Sequence, residues 1–430
     1  MQNIRDSKAE SINIYENDHF EAAIDVQIFH NFEIISNMQQ KWDRFIEDIK
    51  GEIFLTFDWC QLWWKYYGEG RHLKIFIFRL DGNLVGILPM FMEKIWLGPL
   101  CVRIIKIVGT DFTPITISVP IQKVFLKQVM SLFIHKLNQE WKWDVLHIGD
   151  ICGRYDSFDF LATALKNTLS DAFHIFMNTN NVQTYFYLTD SLEKQIAKLN
   201  KKQRENIRRA YRSAESQGTL NSSLASDENF NEYFDDFVHL HQRQWENIGQ
   251  PGHFRDWPHS YEFHRDFATT QLKKGRLRLL KIAINNQCIG YKYGYKFGDL
   301  YHQFLSARID DKSSTSIDFN KISFGEQVRL ATTVDKVVAI DSMRGKYDHK
   351  IHLGGEMLPV RSIDIYPKKI FIILRITIFK YLSLLIDICY SKIWRRRIMT
   401  KLGLNSRLIW STWIKTSGVL LLNLYKKHEQ

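Results

Sequence analysis

The chain has 430 residues, 45% hydrophobic and 24% charged, with a formal net charge of +11. That composition excludes a disordered chain, and the length allows two full domains plus an appendage. Residues 366–430 carry 13 Lys/Arg against 2 acids, which is the whole excess of charge, so the neutral remainder has no bias towards nucleic acid and no DNA partner is expected.

Residues 1–21 hold early acids and no apolar segment, so a flexible lead is expected there rather than a secretory signal. The five cysteines (Cys60, Cys101, Cys152, Cys288 and Cys389) are odd in number and widely spaced. Reduced thiols of a cytosolic compartment are therefore expected, not a disulfide framework. Neither His239 with His241 nor His349 with His352 has a neighbouring set that would complete a metal site, so none is expected.

Residues 22–190 read as an α/β domain. A helix near 37–49 is followed by Thr56-Phe57-Asp58-Trp59, where Thr56 or Asp58 could cap a helix that runs through Trp63, Trp64 and Tyr67 to Gly68. Then comes an apolar hairpin from Leu73 to Gly86 around an Asp81-Gly82-Asn83 turn. A strand ending at Val108-Gly109, a helix over 122–140, a strand at 143–148, a helix over 157–170 and a strand at 184–188 complete the half.

Residues 191–365 form the second expected domain. A single long basic helix is predicted from Leu192 to Gly218, its lysines and arginines either a solvated face or a phosphate-facing surface. Helices over 227–247 and 258–274 precede three strands (277–284, 288–297 and 300–306) in an antiparallel meander. Its first hairpin, Leu277 to Gly290 around Asn285-Asn286-Gln287, matches the earlier one without gaps, 204 residues on. Two matching hairpins, each placed similarly in its half, point to a chain built by doubling one fold.

After the meander, Ser313, Ser314, Thr315 and Ser316 precede a helix over 317–332, a hydroxyl-rich N-terminus suited to a pyrophosphate or to ordinary capping. The strand at 337–341 then delivers Asp341, Arg344, Gly345, Lys346, Tyr347, His349 and Lys350. These residues read either as a site, with cations for an anion and Asp341, Tyr347 and His349 for proton transfer, or as a structural ion-pair network.

Asp341-x-x-Arg344-Gly345-x-x-x-x-Lys350, with Ile289-Gly290, the basic helix after Leu192 and Thr56-Phe57-Asp58-Trp59, resembles the GNAT acyltransferase superfamily, in its BioF2-like or cellulose-biosynthesis CelD-like branch, related to FemAB-type transferases. The resemblance spans about residues 25–365, and departs from the family at His349, where a Tyr is usual, and in the Gly-less 313–316 loop. It implies an α/β fold of tandem GNAT-like domains. It further implies an acyl-CoA-dependent N-acyltransferase acting on a small-molecule or lipid-linked amine, an amino sugar or cell-envelope precursor, in the cytoplasm. On that reading the acetyl-CoA or other acyl-CoA donor is held by Ser313, Ser314, Thr315, Ser316, Arg344, Gly345 and Lys350. His302 and His349 are candidates for the base, Asp341 for proton transfer, and Tyr347 or Tyr301 for the leaving thiolate. Two alternatives stay open: a FemAB-type enzyme taking aminoacyl-tRNA, and a catalytically silent GNAT-fold protein whose tail recruits a polysaccharide-synthesis complex to the membrane.

The tail, 366–430, is expected to be helical and basic. Over 370–390, Lys369, Lys380, Ser383, Asp387 and Ser391 fall within a sector of about 80° opposite a broad apolar face. Arg395-Arg396-Arg397 and a second apolar stretch follow. Lying on the anionic inner membrane face, packing on the body and spanning the membrane are the three readings.

Overall fold

The computed structural model describes residues 24–389, except 112–114, 155–156, 249–251, 257–258 and 310–316. Two compact units emerge: residues up to Asn180 with Val360–Ile388, and Asn181–Pro359.

The first unit holds β1 (Asp25–Phe29), α1 (Gln39–Asp48), α2 (Phe57–Tyr67), β2 (His72–Leu80), β3 (Asn83–Leu97), β4 (Leu100–Ile107), α3 (Leu126–Glu140), β5 (Val145–Cys152), α4 (Ser157–Leu169) and the first part of β6 (Phe173–Tyr187). The second holds the rest of β6, α5 (Leu192–Ala197), α6 (Lys201–Glu215), β7 (Leu220–Leu224), α7 (Phe230–Asn247), α8 (His253–Asp256), α9 (Ser260–Lys273), β8 (Leu277–Ile284), β9 (Gln287–Phe297) and β10 (Leu300–Arg308). It continues with α10 (Phe319–Arg329), β11 (Ala339–Arg344), α11 (Asp348–His352) and the start of β12 (Glu356–Pro367); α12 (Ile370–Cys389) returns to the first unit.

The first unit's strands run in the order β1-β2-β3-β4-β5-β12, the second's in the order β7-β8-β9-β10-β11-β6. In each, only the fourth and fifth strands pair in parallel. In each, too, helices intervene at the same places: before the second strand, before the fifth and after the fifth. The doubling extends to single residues. Phe78 faces Gly86 and the next pair is Arg79 with Leu84; Ile282 faces Gly290 and the next pair is Ala283 with Cys288. Both hairpins thus bulge at the same place, 204 positions apart.

Several expectations are corrected. The hairpin turns have two residues, not three: Asp81-Gly82 and Asn285-Asn286 all have positive φ, the backbone of a tight hairpin turn matched to strand twist. Thr56 holds the N-cap position of α2 but makes no side-chain capping bond; its hydroxyl donates to Ile53 O, and Asp58, inside the first turn, accepts from Gln39. The long basic helix is two helices, because Asn200 Oδ1 accepts from Gln203 N at 2.9 Å and restarts the chain as α6. The unit limits also differ from the sequence boundaries: β5 takes as neighbour the late strand β12, and β11 takes the early strand β6.

Aromatic packing builds the first core. Trp42, spaced with Phe45 and Ile46 along one face of α1, donates to Leu55 O at 2.8 Å and meets the Phe57 ring edge-on at 5.5 Å. Trp63 is fully buried and donates to Asp111 O. In the second unit, Ile207, Ala210 and Ala214 of α6 and Ile322, Phe324 and Val328 of α10 cover one sheet face with Leu280, Ile282 and Tyr301. The opposite face carries Tyr291, Tyr293 and Tyr295, alternating as strand residues do, against Phe237 of α7 and Phe267 of α9.

The helix α12 docks on the first unit by Ile376, Phe379 and Ser383, while Arg375 pairs with Asp144 and Lys380 donates to the Tyr366 hydroxyl. The polar stripe expected to face water therefore lies inward at Lys380 and Ser383. No described helix is long and apolar enough to cross a membrane. Arg395–Arg397 and the later apolar stretch lie outside the described residues, as do 1–21.

Candidate active site in the second unit

The parallel ladder between β10 and β11 has three rungs and ends at His302 opposite Asp341. Beyond it β10 runs on along β9 as far as Arg308 opposite Gly290, while β11 turns aside. The corresponding place in the first unit is closed by its own chain: Ile117 bridges to Ile151 of β5, and Ile121 bridges to Gly86 of β3. No described segment makes such a bridge in the second unit. The matching link of the second unit, between β10 and α10, includes 310–316, which lie outside the described residues.

At the last rung, Asp341 and His302 are both fully buried, and His302 Nδ1 lies 3.2 Å from Asp341 Oδ2. Asp341 Oδ1 accepts from Gln183 Nε2 at 2.6 Å and from Met343 N at 2.9 Å. A carboxylate without water needs such donors. Tyr301, the neighbour of His302, points to the other face into the hydrophobic cluster, where burial pushes its phenol far up. It does not join Asp341.

Past Asp341 β11 bulges before it pairs again with β6, Arg344 opposite Gln183. Met343 has φ +60° and Gly345 φ +108°, and a Cβ on Gly345 would lie 2.3 Å from the Tyr347 ring, so only glycine fits. Lys350 reaches back from α11 to this turn and donates to Ser342 O at 2.6 Å, Met343 O at 3.1 Å and Arg344 O at 3.2 Å. All three ammonium hydrogens are so engaged. Lys350, expected to meet a cofactor's anionic group, instead ties the Arg344-Gly345 turn in shape.

Burial lowers the Lys350 pKa to about 8, against the pull of Asp341. Burial, aided by the Lys350 charge, also lowers that of Lys292 on β9 to about 8. His349 is held below its ordinary range by burial and by the Lys350 and Lys292 charges. Tyr347 is 54% exposed and stacks on His349 with centroids 5.6 Å apart.

The expected residues therefore form two groups. Asp341 and His302 sit together at the strand parting; Tyr347, His349 and Lys350 sit together around the turn after it. Arg344 is half-buried at that turn, and Gly345 N donates to Val182 O. Ser313, Ser314, Thr315 and Ser316 lie outside the described residues. Sequence reading missed Gln183 and Lys292. The signal for Lys292 was the run Tyr291-Lys292-Tyr293-Gly294-Tyr295, in which strand alternation puts a lysine on the face opposite three core tyrosines. A separate cavity of about 580 Å³ lies in the first unit, between the end of α1, residues 118–126 and α4; none of these site residues lines it.

Residues 201–351, from α6 into α11, match the family model described as acetyltransferase (GNAT) domain. A comparison with curated proteins found no match. Among solved structures, FemX superimposes with a TM-score of 0.54 at 10% identity, over 79% of this chain and 96% of that one. The C-terminal domain of a putative lysylphosphatidylglycerol synthetase from Agrobacterium fabrum gives 0.45 at 10% identity, over 76% and 92%. A tandem GNAT protein from the clavulanic acid biosynthesis pathway gives 0.40 at 10%, over 79% and 98%. At such identities the likeness is one of fold. The chain is a transferase that carries a GNAT acetyltransferase domain within a mixed α/β fold of tandem GNAT-like units.

Proposed function

We propose that this chain is an acyl-CoA-dependent N-acyltransferase whose donor enters the second unit where β10 and β11 part. The observation that carries the proposal is the parting itself: the β10–β11 ladder stops at His302 and Asp341, and the turn braced by Lys350 follows directly.

The side chains at hand fit such a donor. Lys292 is a buried cation, and the charge acting on it comes from another cation, Lys350, so an incoming anionic group would relieve it. The sequence-based assignment of Ser313, Ser314, Thr315 and Ser316 to the pyrophosphate is kept in this proposal, as is that of Arg344 to an anionic group. The donor supplies an acyl carbon activated by its sulfur. A C–N bond to the acceptor amine forms, the C–S bond breaks, and one proton passes from nitrogen to the thiolate.

His349 suits the first proton step because its lowered pKa leaves it neutral near pH 7 and able to accept. Tyr347, stacked on His349, is the candidate to protonate the sulfur. Asp341, fixed by Gln183 and Met343 N, orients the His302 ring and sets which nitrogen faces the parting. Lys350 holds the turn that presents Arg344. The acceptor follows from the family resemblance: an amino sugar or another amine of a cell-envelope precursor.

Titration calorimetry with acetyl-CoA and with aminoacyl-tRNA tests this. Micromolar binding of acetyl-CoA is expected. Heat with charged tRNA alone would move the donor to the FemAB-type reading, and heat with neither would leave a silent fold.

A further inference from the structure

The row of side chains on the outer side of α12 has no counterpart elsewhere on the described helices. Ile370, Phe371, Leu374, Ile378, Tyr381 and Leu385 are between 44 and 83% exposed. At 100° per residue they span a sector of about 100°. The opposite side of the helix is already spent: Ile376 and Phe379 are buried against the first unit. Both cations of the helix are held there as well, Arg375 by Asp144 and Lys380 by Tyr366. Docking on the body thus accounts for the inner side and leaves an apolar strip facing out, which proteins surrounded only by water seldom keep.

We infer that this strip seats the protein on an anionic membrane surface, with α12 lying parallel to it. Twenty residues of helix give a contact about 30 Å long. The charges around it favour lipid phosphates. Lys368 and Lys369 are exposed just before the helix, Arg395, Arg396 and Arg397 follow it in sequence, and 366–430 holds 13 bases against 2 acids. The same excess argues against a second copy as the occupant, since two such tails would bring like charges together. The inference stands independently of the reaction proposed above.

The full chain is sedimented with vesicles of phosphatidylcholine, with and without phosphatidylglycerol, beside a Leu374→Asp/Ile378→Asp/Leu385→Asp variant. Binding to the anionic vesicles should be at least about tenfold tighter than to the neutral ones and weaken with salt. The variant should lose at least about tenfold while its thermal midpoint stays unchanged, because all three positions are exposed. Equal binding by variant and parent overturns the inference, as does a parent that ignores anionic vesicles. A parent dimer that the variant splits, with no vesicle binding, would assign the strip to a second copy. Protection of Phe371 and Leu374 from hydroxyl-radical labelling in lipid-free protein would assign it to the chain beyond residue 389.

Discussion

His302 and Asp341 face each other on the last rung that joins β10 to β11, with imidazole Nδ1 3.2 Å from the carboxylate. The pair closes the paired part of the sheet and opens the parting. Replacing Asp341 with Asn keeps an acceptor for Gln183 and Met343 N but puts an amide against the imidazole. Turnover is expected to fall about a hundredfold or more with KM little changed, because ring orientation is lost rather than substrate binding. Urea unfolding should show a loss of about 1–3 kcal/mol for the disturbed buried hydrogen bonds. Unchanged turnover would remove His302 from the reaction.

Lys292 gives a prediction with an unusual sign. Its folded pKa, about 8, lies below the unfolded value of about 10.5, so between these the unfolded chain binds the extra proton and stability rises with pH. The gain is of the order of 3 kcal/mol at most. Lys292→Met should therefore be as stable as the parent or more so at pH 7, and its stability should rise less between pH 8 and 10. The same variant should bind acetyl-CoA at least about tenfold more weakly if Lys292 meets a donor anion. Denaturant curves across pH, with calorimetry at pH 7, separate the two effects.

The paired glycines can be compared directly. A Cβ at Gly290 would lie 2.4 Å from Ala307 O and 2.5 Å from the Phe319 ring; at Gly86 the nearest atom is a Val129 methyl at 3.2 Å. Gly290→Ala should cost about 2 kcal/mol or more beyond Gly86→Ala, since backbone cannot give way as a methyl can. Equal costs in urea melts would mean that the second hairpin has more room than its geometry indicates.

Asn200 restarts the basic segment as α6. Asn200→Ala should lower stability by about 1 kcal/mol, and Asn200→Asp should restore it. Thermal melts decide the point. No loss in the alanine variant would make the break a product of the packing of Leu199 rather than of the cap.

What could be read from the residues was what neighbours in the chain decide. The hairpins were legible from apolar strands around Asn/Asp/Gly turn residues, though the turns have two residues rather than three, and the motif from Asp341 to Lys350 was legible because its spacing is short. Lys350 was read as a free cation, since no sequence pattern shows that carbonyls six to eight residues back will take its hydrogens. Lys292 is not singled out by its own segment, because the charge acting on it comes from Lys350 of α11, far along the chain. The limits of the units were hidden by β6 and β12, whose partners are distant in sequence. In α12 the periodicity located the polar stripe at Lys380 and Ser383 but not which way it would turn. Tyr366, just before the helix, takes Lys380, and Asp144, more than two hundred residues earlier, takes Arg375.

The three bonds from Lys350 to Ser342, Met343 and Arg344 lie within a nine-residue span, which Gly345 N also fastens to Val182 O of β6. A bend braced in this way keeps its shape before any guest arrives. Capture at that corner would then be quick, limited by encounter and not by slow closing of a loop. Lengthening the span between Gly345 and Lys350 by even one residue would slacken the brace while leaving every side chain in place.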